Sequence, residues 1–195
     1  MKQLKELLSE FENNLKEQHA PILSKLSPGI SLEKIENIFK QNGIENNSLK
    51  ELYHWRDGIS YNSGWTVGEF DFFSFGILMS LEDMVKHQSI LSIPTDTQSK
   101  LLLPVFATGG GDYILFNVDN NSKDYNRLLL YAPMLVLSKT PMPIYDTLES
   151  FFETINECYK VGAYKFNEAG RLDVDYELEQ EVSKQINPNA EYWNG

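Results

Sequence analysis

Carboxylates dominate the ionisable side chains of this sequence, and they gather at a few places. There are 28 Asp and Glu against 17 Lys and Arg, a formal net charge of −11. Asp175, Glu177, Glu179 and Glu181 alternate along a C-terminal stretch with few bases. Glu69 and Asp71 stand inside an aromatic run from Trp65 to Phe75, and Asp112 follows three glycines. An acidic field favours a basic partner and speeds its encounter, and it also keeps a chain soluble. Phosphate is repelled overall, so a nucleic-acid partner is not expected.

Other chemistries lack their residues. Three histidines, His19, His54 and His87, are scattered, and Cys158 is a single cysteine, so no metal site is expected. No Gly-x-Ser-x-Gly elbow or comparable triad frame occurs. Cys158 falls on the apolar face of a predicted helix, where a free cysteine is usually inert packing. Gly109-Gly110-Gly111-Asp112 lacks the Lys-Ser/Thr of a phosphate loop and runs into a strand, so it reads as a hairpin turn. Asp112 there either caps backbone amides or faces a basic partner. With no catalytic, cofactor-binding or metal-ligating set, a non-enzyme without cofactors is expected.

Two clusters suit recognition. Trp55 and Arg56, at a helix end, are residue types enriched at interface hot spots. Equally, Trp55 can complete a core while Arg56 sits favourably by the helix C-terminus. The run holding Tyr61, Trp65, Phe70, Phe72, Phe73 and Phe75 carries more rings than one strand face buries. They line a groove whose acids, Glu69 and Asp71, suit a basic surface, or they fill the core on both sides. For Asp175, Glu177, Glu179 and Glu181 the alternatives are a binding surface and an ordinary solvated helix face.

The elements that position these residues follow from periodicity. Leu4, Leu7, Leu8, Phe11 and Leu15 predict an amphipathic helix over 3–18. A second helix follows Ser31 and stops at Asn42-Gly43. Ser48 and Glu51 match a capping box for a third, which Asp57-Gly58 ends at a left-handed glycine. One or two strands are expected over Phe70–Phe75, then a short helix from Ser80 to about His87. Leu101–Phe106, Tyr113–Val118 and Arg127–Tyr131 predict an antiparallel meander, with Pro104 arguing for an edge or a strand start. A long helix begins near Thr147 and ends at Gly162, and the acidic tail holds a short helix laid on the body.

The chain has 195 residues, 42% of them apolar, with 11 Phe, 10 Tyr and 3 Trp. That suits one globular domain needing no disulfide. No apolar run reaches the length of a membrane span and no leader is legible at Met1, so a cytoplasmic location is expected.

In order, these motifs resemble the SUKH superfamily, which includes the fungal cell-wall-synthesis regulator and many bacterial immunity proteins. Leu49-Lys50-Glu51-Leu52-Tyr53 with the Trp55-Arg56-Asp57-Gly58 exit is similar to the family's helix ending in Asn-Gly. Leu78–Val85, then Leu103-Pro104-Val105-Phe106 with Gly110-Gly111-Asp112-Tyr113, then Leu148–Tyr159 resemble its later elements. Asp57 replaces the usual Asn, and the early proline of a Leu-Pro-x-x-Leu-Lys phrase is absent. The resemblance covers about 28–160 and leaves the N-terminal helix 3–18 and the acidic extension 165–195 outside. It implies a single α+β domain with an antiparallel or mixed sheet flanked by helices. It also implies an immunity protein (antitoxin) that binds a cognate toxin domain; the acidic charge makes a basic toxin the expected partner, and a monomer or weak dimer is expected. The alternatives are a regulatory scaffold of the same fold and a small-ligand-binding protein.

Overall fold

The apolar stripe at the start of the chain forms α1 (Leu4–Glu17), and Leu4, Leu7, Leu8, Phe11 and Leu15 are all buried. The computed structural model describes residues 2–59, 70–91, 93, 101–108, 110–133 and 140–194. Tyr61, Trp65 and Glu69 lie outside the described residues.

A short 3₁₀ turn at Pro21–Ser24 leads to α2 (Leu32–Gln41), whose N-cap is Ser31, accepting from the Lys34 N–H. Next comes α3 (Asn47–Trp55). Its cap is not the expected Ser48. Asn46 accepts from the Leu49 N–H at 2.9 Å while its amide donates to Asn126 at 2.8 Å, two bonds where a serine hydroxyl offers fewer. Ser48 is left to donate to Glu149. The helix also stops earlier than expected, because Arg56 is already extended and bridges to Pro28. Gly58 is left-handed (φ 66°), but its role is close approach: a Cβ there would meet the Met79 carbonyl oxygen at 2.4 Å.

No strand forms over Phe70–Phe75, contrary to the sequence expectation. Phe72 and Phe73 are both fully buried, and a pleated strand would send consecutive side chains to opposite faces. Irregular backbone lets both rings enter one core, Phe72 at 5.1 Å from Phe11 and Phe73 at 5.1 Å from Phe151. The first strand is β1 (Ile77–Leu78), followed by α4 (Leu81–Ile90), a turn longer than predicted and capped by Ser80. Asp57 adds a second cap, accepting from the Leu81 N–H at 2.8 Å.

The meander is present as β2 (Leu102–Ala107), β3 (Tyr113–Asn117) and β4 (Leu128–Tyr131). Among the described residues the sheet has five strands, all antiparallel, in the order β1-β2-β3-β4-β5. Pro104 is therefore in an inner strand. It is tolerated because β1 pairs only with Phe106 and Ala107, and the register shifts between Pro104 and Phe106. The sequence reading missed β5 (Met142–Tyr145), where Pro143 masks the strand pattern at a sheet edge. One sheet face carries Leu103, Val105, Ile114 and Phe116 into the main core; the other buries Leu102, Leu115, Leu129 and Tyr131.

Thr147 caps α5 (Leu148–Val161), and Gly162 ends it with φ 81°. A small hairpin, β6 (Tyr164–Phe166) with β7 (Leu172–Val174), then leads to α6 (Tyr176–Ile186) and α7 (Glu191–Asn194). This tail is built into the body. Asn187 is fully buried and its side chain makes four bonds: it accepts from the Asp146 N–H and the Ser150 hydroxyl, and donates to the Thr154 hydroxyl and the Ser183 carbonyl. Trp193 is 6% exposed and donates to the Ile144 carbonyl at 2.7 Å. Arg127 joins Asp124, Asp146 and the Asn189 carbonyl.

Asn187→Ala strands several buried groups and is expected to cost about 3 kcal/mol in urea unfolding. Ser183→Ala, one turn earlier on α6, removes a buried hydroxyl that has no hydrogen-bond partner among the described residues. It is expected to stay within about 1 kcal/mol of the parent.

Candidate functional site

The charged residues of α6 divide by helical phase. Val182 and Ser183 face inward, and Glu179, three and four positions earlier, lies on the same side. Asp175, Glu177 and Glu181 are exposed, as the sequence suggested for an outer acidic face. Asp175 is also the N-cap of α6, accepting from the Leu178 N–H. Glu179 does not belong to that outer face. It is 2% exposed and accepts from the hydroxyls of Ser74 and Tyr164. The periodic apolar residues Leu178, Val182 and Ile186 carried the signal for this, since Glu179 adjoins their stripe.

Burial pushes the Glu179 carboxyl above the ordinary 4.5, and its two hydroxyl donors offset only part of the shift. Burial likewise raises the surrounding Tyr164, Tyr145 and Tyr192 hydroxyls and the Cys158 thiol, and the charge of Glu179 adds to each. Cys158 is therefore held as a thiol inside the core.

Around Glu179 lies an open cavity of about 410 Å³, lined by Ser74, Phe75, Tyr176, Tyr192 and Trp193 among others. Phe75 and Tyr192 meet edge-on with centroids 5.5 Å apart, and Tyr192 and Trp193 at 4.8 Å and 90°. The rings that line this cavity come mostly from the tail. Among the described residues of the aromatic run, Phe75 lines it, Phe72 and Phe73 are core, and Phe70 is 8% exposed. Tyr176, Tyr192 and Trp193 carried no periodic signal that tied them to Phe75.

The other candidates lie elsewhere. Trp55 packs on Phe11 and Phe152, and its indole N–H donates to Glu12 at 3.0 Å. The same carboxylate pairs with Arg56 at 3.2 Å and Lys16 at 2.9 Å. Burial works against the Glu12 charge, but the Lys16, Trp55 and Arg56 donors hold its carboxyl below the usual range. Trp55 nevertheless reaches a cleft of about 500 Å³ shared with Leu8, Leu32 and His54. Asp71 is half-buried, and burial raises its carboxyl. Asp112 closes the β2–β3 turn through its carbonyl, which accepts from the Thr108 N–H, and its Oδ1 is buried without a hydrogen-bond partner among the described residues. Trp65 and Glu69 cannot be placed, being outside those residues.

Among the described residues, no group of three or more His, Cys, Asp and Glu could hold a metal ion. No helix there is long and apolar enough to cross a membrane. A scan against protein-family models found no match to this chain, and a search of curated proteins found none either.

A raised carboxyl stabilises the fold most below its unfolded value and loses that contribution as pH rises through the folded value. Glu179→Gln keeps an acceptor for Ser74 and Tyr164 but has no charge to bury. The variant is expected to gain stability relative to the parent as pH rises from about 4 to about 8, read by urea unfolding across that range. A parallel pair of curves would show that Glu179 is not a strained charge.

Proposed function

We propose that this chain is a SUKH-type protein-binding module, an immunity protein that binds and neutralises a basic toxin domain. The observation that carries the reading is the exposed acidic surface of α6. Asp175, Glu177 and Glu181 point outward there, beside the exposed ring of Tyr176. Carboxylates on a rim steer a basic partner and raise its association rate, while rings buried on contact lengthen residence. The ordered motifs from Leu49 to Tyr159 support the family assignment, and the five-stranded antiparallel sheet with its flanking helices agrees with the α+β fold that the resemblance implies. Neutralisation on this reading is occlusion: the acidic face covers the toxin's working surface and no bond is made or broken.

The test combines capture with phenotype. Tagged chain and a Glu177→Lys/Glu181→Lys variant are incubated with native lysate, and with the product of the adjacent reading frame co-expressed. The parent is expected to retain one stoichiometric basic protein, and the variant to associate about tenfold more slowly or not at all. Expression of the captured protein alone is expected to arrest growth, and co-expression of this chain to restore it. A captured protein that is harmless alone points instead to a regulatory scaffold. Capture unaffected by the reversals moves the interface away from α6, and no capture with the neighbouring product present removes the immunity reading.

A further inference from the structure

Large apolar side chains are rarely left exposed on the described surface, yet two of them border one cavity. Tyr176 is 70% exposed and Tyr192 36%, and both line the space around Glu179. The rings there stand nearly at right angles: Phe75 to Tyr192 at 85°, Phe75 to Trp193 at 75°, and Tyr192 to Trp193 at 90°. Together with Tyr176 these rings line the cavity with aromatic surface, and a cation near such rings is drawn by their quadrupoles.

Glu179 supplies the opposite charge. Both of its hydrogen bonds end on Oε1, from Ser74 and Tyr164. Among the described residues Oε2 accepts no hydrogen bond, and no lysine or arginine forms an ion pair with this carboxylate. A buried carboxylate without a counter-charge is costly, and an incoming cation relieves that cost while gaining the rings. An anion would be repelled, and a neutral group would leave the carboxylate uncompensated. The space of about 410 Å³ admits a charged head with its last methylenes, which pack well on aromatic surface. Outside it, exposed Asp175, Glu177, Glu181 and Glu191 extend the negative field to solvent.

We propose that this cavity receives one organic cation, the ammonium or guanidinium of a lysine or arginine side chain on a basic protein partner. Glu179 is its counter-ion, and Phe75, Tyr176, Tyr192 and Trp193 are its aromatic lining. The partner as source rests on the protein-binding reading above; the chemistry of the pocket does not.

Calorimetric titration with tetralysine, tetraarginine, fully side-chain-acetylated tetralysine and tetramethylammonium tests it. One of the two charged peptides is expected to bind saturably at one site, and the acetylated peptide not to bind. Glu179→Gln is expected to weaken binding about tenfold or more through loss of a charge-assisted contact. Tyr192→Ala, at a partly exposed ring, is expected to weaken it roughly threefold or more. Circular dichroism melts verify that both variants are folded. The Glu177→Lys/Glu181→Lys pair acts through a screened field, so its effect is expected to fade at about 0.5 M salt while that of Glu179→Gln persists.

Equal binding of acetylated tetralysine, or affinities within about twofold of the parent in both pocket variants, overturns the proposal. Tighter binding of tetramethylammonium than of either charged peptide assigns the pocket to a free small cation and overturns the partner side chain. The two readings separate cleanly: a partner captured equally well by Glu179→Gln defeats the pocket and leaves the module. Peptide binding with no partner found defeats the immunity role and leaves the pocket.

Discussion

Phe151 and Phe152 are neighbours on α5, about 100° apart around its axis, and both are fully buried. That requirement organises the rest of the molecule, because one covering layer cannot bury both. Phe151 meets Phe106 of β2 at 4.8 Å and Tyr145 of β5 at 5.0 Å, so the sheet covers one side. Phe152 meets Phe11 of α1 at 5.6 Å and Trp55 of α3 at 6.2 Å, so helices cover the other. Each ring contributes about 2–3 kcal/mol by leaving water. Polar residues of α5 meet both the tail and α1: Thr154 and Ser150 bond to Asn187, while Asn156 donates to the Leu7 carbonyl.

A wrapped central helix explains why the C-terminal acids differ among themselves. Docking α6 against α5 turns one side of α6 inward whatever residues stand there. Asn187 meets that condition with four complementary partners, so it locks the tail. Glu179 meets it with two hydroxyls on a single oxygen, so it keeps a carboxylate oxygen near solvent-accessible rings. Packing and recognition thus compete at one position. Trp55 and Arg56 show the opposite balance, since Glu12 takes the Trp55 indole N–H and the Arg56 guanidinium into one network with Lys16.

Residues 4–17, 32–41, 81–90 and 148–161 are helices whose existence was plain from spacing and caps, and the meander from Leu102 to Tyr131 was plain from apolar runs between tight turns. Spacing misled where two local signals competed. Ser48 and Asn46 both suit a cap, and the choice went to Asn46 because Asn126, 80 residues away, holds its other end. The aromatic run looked like strand because aromatic residues favour strands, but consecutive buried rings need a backbone that does not alternate. Pro143 hid β5 for the reason that places it at an edge, where a missing N–H costs no ladder bond.

What the sequence determined by itself is what depends on near neighbours: helix phase, most caps, the glycine stop at 162 and the acidic excess. The tertiary structure alone decided which acids are on the surface and which rings share a cavity. Ser74, Glu179 and Tyr192 are brought together across more than a hundred residues by the docking of α6 and α7 on α5 and β5. No local pattern records that docking, because it depends on the burial of surfaces that the chain brings together only on folding.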